Sequence, residues 1–171
     1  FLDASENMEL YDIETGTEPY LEGVYLAGEI TESSSPEAMT EAVYQKTKEL
    51  LNHDDKLFTL FGGEHSVSIG SIRAVGEKFE YLTFLQFDAH TDLRPDFHGS
   101  TSNHACAVFE AGQKHNLVQV GIRSCDVEEM QYVPKGQCFW AHEIHKNPHW
   151  IDDVLAKVSG NVYITIDLDA F

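Results

Sequence analysis

The chain has 171 residues, a length that suits one domain, and 42% of them are hydrophobic, enough to build a core. Eleven basic residues against 29 acidic ones leave a formal charge of −18, which argues against a nucleic-acid partner or an anionic membrane surface, because both need Lys and Arg. The same field would attract a cationic substrate, although solubility alone could account for it.

No apolar run approaches the ~18 residues of a membrane span. The start, Phe1-Leu2-Asp3, does not read as a signal peptide. Cys106, Cys125 and Cys138 form an odd, scattered set with no Cys-x-x-Cys spacing. That pattern fits reduced thiols and a cytoplasmic location.

In chain order, Val24 to Ala27 reads as an early strand. Ser35 and Pro36 suit the N-cap and first position of a helix, with Met39, Val43, Thr47 and Leu50 at near-helical spacing. Leu57 to Phe61 reads as a strand ending in Gly62-Gly63. Val67 to Phe79 reads as a helix with Ile69, Ile72, Val75 and Phe79 on one face. Tyr81 to Phe87 reads as a second strand, followed by a loop to about Thr101. A helix is expected from Ser102 to His115 and a strand from Leu117 to Val120. Val127 to Tyr132 is helical or irregular, and Gln137 to Ala141 strand-like. Asp152 to Val158 belongs to a helix, and Val162 to Ile166 to a final strand. Strands alternating with helices indicate an α/β fold with a mostly parallel sheet. The strand runs are apolar almost throughout, as strands covered on both faces are.

Three of these runs end in polar clusters: Gly62-Gly63-Glu64-His65-Ser66, Asp88-Ala89-His90-Thr91-Asp92 and Asp167-Leu168-Asp169. Ligands of open parallel sheets bind beyond the carboxyl ends of the strands, so all three clusters are expected in one crevice. Asp88, His90 and Asp92 alternate, and an extended backbone would point them the same way. Carboxylates crowded together repel one another and must protonate unless cations balance them. Carboxylate with imidazole leaves manganese, iron, zinc or cobalt open. Each cluster alone is weak: Gly-Gly is usually a turn, and Asp-Leu-Asp could be a helix cap. His53, His98, His115, His142, His145 and His149 lack such a setting and read as surface or packing residues.

Taken together and in this order, the three clusters resemble the metal motifs of the arginase/agmatinase ureohydrolase family. Leu93 to His104 and Gly121-Ile122-Arg123-Ser124 are similar to its agmatinase-like members. The resemblance implies a three-layer αβα, arginase-like domain over residues 1–171 that binds two manganese ions. It assigns His65, Asp88, Asp92 and Asp167 to one ion and His90, Asp88, Asp167 and Asp169 to the other, with Asp88 and Asp167 shared. His104 matches the family's active-site histidine. Glu64 departs from the Asp found in many members, though the acid is retained. The family's third motif runs on past the last residue here, so the domain is expected to lack its C-terminal part, including an acid that holds the guanidinium group. On that expectation residues 1–171 alone would be inactive, and Val162 to Ile166 would be an interior strand of the whole domain that leaves a sheet edge and an apolar face open in residues 1–171 alone.

The activity implied is hydrolysis of a cationic guanidino compound, foremost agmatine to putrescine and urea. Leu93-Arg94 after the second motif looks agmatinase-like and lacks the arginase-like Asn and Thr. Guanidinobutyrate, arginine and formiminoglutamate are alternatives, as is a non-catalytic metal-binding role. A two-metal phosphoesterase suits the ligands but not the charge. The resemblance also implies a homo-oligomer, a trimer or hexamer.

Overall fold

The computed structural model describes residues 5–53 and 56–171; the Phe1-Leu2-Asp3 start lies outside them. Helix α1 spans Pro36–Leu50, and the Ser35 side chain caps it by accepting from the Ala38 N–H at 3.1 Å. It packs on α2, Val67–Lys78. The two backbones meet at Gly70, where a Cβ would stand 2.2 Å from the Thr40 carbonyl oxygen, so only glycine fits.

Strands β1 (Leu82–Phe87), β2 (Asn116–Ile122), β3 (Cys138–Trp140) and β4 (Asn161–Ile166) form one sheet in the order β3-β2-β1-β4. Every pairing is parallel. Three short helices complete the layers: α3 (Phe109–Lys114), α4 (Ala141–Ile144) and α5 (Trp150–Leu155).

One sheet face carries Phe84 and Leu117, which pack with Ile72 and Val75 of α2, Ala111 of α3, Leu93 and Val108. The other face carries Leu85, Val118 and Val120 against Val154 of α5 and Ile144 of α4. Helices therefore cover both faces, the three-layer αβα arrangement expected from the alternation of elements. Each fully buried Leu, Val or Phe contributes about 1.5–3 kcal/mol through burial. No helix among the described residues is long and apolar enough to cross a membrane.

The apolar face of β1 and β2 turns polar one step before the strand ends. Gln86 pairs in register with Gln119 on β2 and with Thr165 on β4, and all three are buried.

Several elements differ from the sequence expectation. Val24 to Ala27 has no strand neighbour and is largely exposed; β-propensity does not make a strand without a ladder to join. Among the described residues no strand covers Leu57 to Phe61, and Leu57 is 96% exposed. The helix expected over Ser102 to His115 is split into a 3-10 turn, His104–Cys106, and α3. The break falls at Val108, whose N–H is donated to the Asp92 carbonyl at 3.3 Å rather than to a helical partner. β4, by contrast, lies at the sheet edge, as expected of residues 1–171 alone. Val162, Ile164 and Ile166 are exposed on one of its faces, while Thr165 is buried and Tyr163 partly buried on the other.

Candidate metal centre

Strand order reverses between β1 and β4, because β2 and β3 lie to one side of β1 and β4 returns to the other. That reversal opens a crevice at the carboxyl ends of β1 and β4. Asp88 follows β1 and Asp167 follows β4, and the Asp167 N–H donates to the Phe87 carbonyl at 2.9 Å, which ties the two ends together. Beside them, Gly121 adopts φ +90, a left-handed conformation that brings the end of β2 alongside the Asp88 carbonyl. The third cluster arrives without a strand: His65 sits in the turn that leads into α2.

His65 organises the inner part of the crevice. Its Nδ1 is 2.8 Å from Asp92 Oδ2, 2.9 Å from Asp88 Oδ2 and 4.0 Å from Asp167 Oδ2. Its Nε2 is 2.8 Å from Thr165 Oγ1, so the imidazole is held at both nitrogens. Asp88 also accepts from the His90 N–H at 2.7 Å and from Gln86 Nε2 at 2.8 Å. Alternation along an extended strand does not describe how Asp92 gets there. It has φ +50, and this left-handed turn is what brings its carboxylate to His65.

His90 turns outward instead. Its Nδ1 lies 3.0 Å from Asp169 Oδ2 and 3.7 Å from Asp88 Oδ1. Asp169 Oδ1 accepts from the Ala89 N–H at 3.1 Å, and Arg123 donates to the Asp169 carbonyl. His104 opens its 3-10 turn after the Asn103 cap, and its Nδ1 is 3.7 Å from Oε2 of Glu64, the residue before His65. The Phe97 ring lies on its other side, 6.2 Å between centroids.

Burial opposes a charge on His65, yet its hydrogen bonds with Asp88 and Asp92 and their negative charges outweigh it and push its pKa up to about 10. Burial also raises the Asp92 pKa, with Asp88 repulsion adding to it against the pull of His65. For Asp88, burial is overcome by hydrogen bonds from His65, the His90 N–H and Gln86, and its pKa falls.

Two donor groups emerge, each with ligand atoms within 4.8 Å of one another: His65, Asp88 and Asp167, and Asp88, His90 and Asp169. Asp88 belongs to both. Among the described residues no Lys or Arg pairs with the side chains of Asp88, Asp92, Asp167 or Asp169. Converging carboxylates and imidazoles without a Lys or Arg among them fit divalent cations. Asp167 joins only the His65 group; its sharing between ions is carried by the motif resemblance. Asp92 contacts His65 but falls in neither group; His53, His98, His115, His142, His145 and His149 also fall in neither. A cleft of about 320 Å³ between α2 and α3, lined by Ile69, Ile72, Phe109 and Gln113, contains none of these donors.

Sequence reading missed the residues beneath the ligands. Gln86, Gln119 and Thr165 are polar positions inside otherwise apolar strands, and that interruption was the available signal. Gln119 Nε2 donates to Gln86 Oε1 at 2.7 Å and to the Thr91 carbonyl at 2.8 Å, so the row braces the Asp88–Asp92 loop from below. Glu129 had no sequence signal beyond its acidity.

The arginase family model matches residues 1–171. The chain belongs to the arginase family. It is 34% identical to the N(1)-aminopropylagmatine ureohydrolase of Synechocystis sp. over 99% of this chain and 59% of that protein. It is 30% identical to the agmatinase of Pyrococcus horikoshii over 85% of this chain and 50% of that protein. The agmatine ureohydrolase of Thermoplasma volcanium superposes with a TM-score of 0.83 at 27% identity, covering 98% of this chain and 58% of that one. This arginase-family chain thus spans a little over half the length of such relatives.

Proposed function

We propose that this chain forms the binuclear metal centre of a guanidino hydrolase that releases urea from agmatine. The observation that carries the reading is Asp88, whose two carboxylate oxygens face different imidazoles, His65 and His90, at the switch point of the sheet. His65, Asp88, Asp92 and Asp167 would hold one manganese, and His90, Asp88, Asp167 and Asp169 the other. Divalent cations so held would supply Lewis acidity and a hydroxide nucleophile near neutral pH.

The chain's own residues do the rest. Thr165 fixes the His65 ring so that Nδ1 faces the carboxylates. Addition of hydroxide to the guanidine carbon gives a tetrahedral species, and breaking its C–N bond yields urea and an amine that must gain a proton. His104 relays it from the added hydroxyl group to the departing nitrogen. The −18 charge favours a cationic substrate.

The name of the Synechocystis relative, 34% identical over 99% of this chain, favours N(1)-aminopropylagmatine as a second reading. It carries the same guanidinium with a longer cationic tail. The test is urea release by the manganese-loaded full-length protein from agmatine, N(1)-aminopropylagmatine, arginine and guanidinobutyrate. Agmatine should give the highest kcat/KM. Arginine as the best substrate, or no urea from any of the four, would overturn the reading.

A further inference from the structure

We infer that Glu129 is a positioning residue for the metal centre, whose carboxylate clasps the chain on both sides of Asp92 and holds it in its left-handed conformation. The inference rests on the reading of Asp92 as a metal ligand. Glu129 stands on the 3-10 turn Glu129–Gln131, after β2, and is only 6% exposed. A buried carboxylate is costly unless donors satisfy it. Its Oε1 accepts from Thr91 Oγ1 at 2.7 Å and from the Leu93 N–H at 2.9 Å. Its Oε2 accepts from the Asp126 N–H at 3.0 Å and faces Arg94 Nε at 3.7 Å. One oxygen therefore grips the ligand loop and the other anchors it to the turn after β2.

Thr91 and Leu93 bracket Asp92, and Asp92 has φ +50, a backbone region few residues other than glycine adopt. In that conformation the Asp92 carboxylate meets His65 Nδ1 at 2.8 Å while Leu93 turns back into the core. If Asp92 relaxed to an ordinary negative φ, its carboxylate would swing away from His65. Glu129 touches none of the donors directly; it acts through the geometry of the residue between its two partners. A Gln at this position keeps one oxygen for Thr91 and Leu93, whereas Ala removes the clasp. A carboxylate that merely filled the loop would affect stability and leave metal affinity alone.

The experiment is calorimetric titration of Mn²⁺ into the metal-free full chain, with metal content measured in parallel. The proteins are the wild type, Glu129→Ala, Glu129→Gln, Thr91→Val and, as a control, His65→Ala. Glu129→Ala should weaken the tighter manganese site about 10–100-fold, the range for loss of a ligand-orienting partner, and leave the weaker site unchanged. Glu129→Gln should recover most of that affinity, and Thr91→Val should fall between. Wild-type affinity in a folded Glu129→Ala, or equal loss at both sites, overturns the inference. If Glu129→Ala does not fold, Thr91→Val decides, and unchanged affinity there overturns it. A wild type that binds no manganese, or a His65→Ala that binds normally, overturns the metal-centre reading and this inference with it.

Discussion

The His65 and Asp92 side chains are 4% and 9% exposed, whereas those of His90 and Asp169 are 52% and 43% exposed. The inner pair rests on the buried row Gln86, Gln119 and Thr165 and is flanked by Glu129; the outer pair is fixed by the Ala89 N–H and by Arg123 at the surface. Asp88 joins the two halves. Buried donors in a fixed hydrogen-bond frame lose little freedom when a cation arrives, while exposed donors must be ordered and are screened by water. The inner half should therefore bind its ion more tightly, and the outer ion should be the exchangeable one.

The most severe way to break that comparison is to remove what the halves share. Asp88→Asn should abolish urea release and lower the binding of both ions, measured by metal content after dialysis. His65→Ala should cost the tight ion, and His90→Ala the weak one. His104→Asn should leave metal content near normal while lowering kcat by about 10²–10⁴-fold, the usual contribution of a proton-transfer group. If His104→Asn loses manganese as Asp88→Asn does, the division between ligand and proton donor is wrong.

A smaller effect should follow from Thr165→Val, which frees His65 Nε2 without touching a carboxylate. It should weaken the inner ion about 10–100-fold and spare the outer one, as read by titration. Equal weakening of both would show that the row beneath the strands does not distinguish the halves.

Acidity sharpens the comparison further. With its pKa raised to about 10, His65 carries a proton at neutral pH in the metal-free protein, and an ion must displace it. Inner-site affinity should therefore rise with pH by up to about tenfold per unit until the pH nears that value. Because the folded-state pKa lies above the unfolded one, the His65 contribution to metal-free stability is complete below about pH 6.5 and is lost as pH rises toward 10. The Tm of the metal-free protein should fall over that window, and loaded protein should lose less. A Tm independent of pH from 6.5 to 10 would contradict the charged His65.

The candidate donors were legible as acids and imidazoles standing directly after apolar runs. Asp88 and Asp167 stand directly after β1 and β4, as the strand reading placed them, whereas His90 turns outward and Asp169 lies in a 3-10 turn. His65 was singled out by its motif, though among the described residues no strand covers Leu57 to Phe61 before it. Asp92 reaches His65 by a different geometry from the extended alternation expected of it: its φ is +50, and its neighbours Thr91 and Leu93 are held by Glu129, a contact that a local pattern does not reveal. The α/β alternation was equally legible, and the sheet order was not, because strand neighbours depend on which crossover turns back. The exposed apolar face of β4 at Val162, Ile164 and Ile166 is the open face expected of residues 1–171 alone. Such a face invites association, and Ile164→Lys should reduce it modestly in light scattering.

The shared centre with unequal halves is tested most directly by titrating Mn²⁺ into the metal-free protein while following bound metal per chain. Two ions should bind in resolved steps, the first lost in His65→Ala and the second in His90→Ala, with Asp88→Asn losing both. A single ion per chain in fully loaded, urea-releasing protein, or two equivalent ions lost together in either histidine variant, would contradict it.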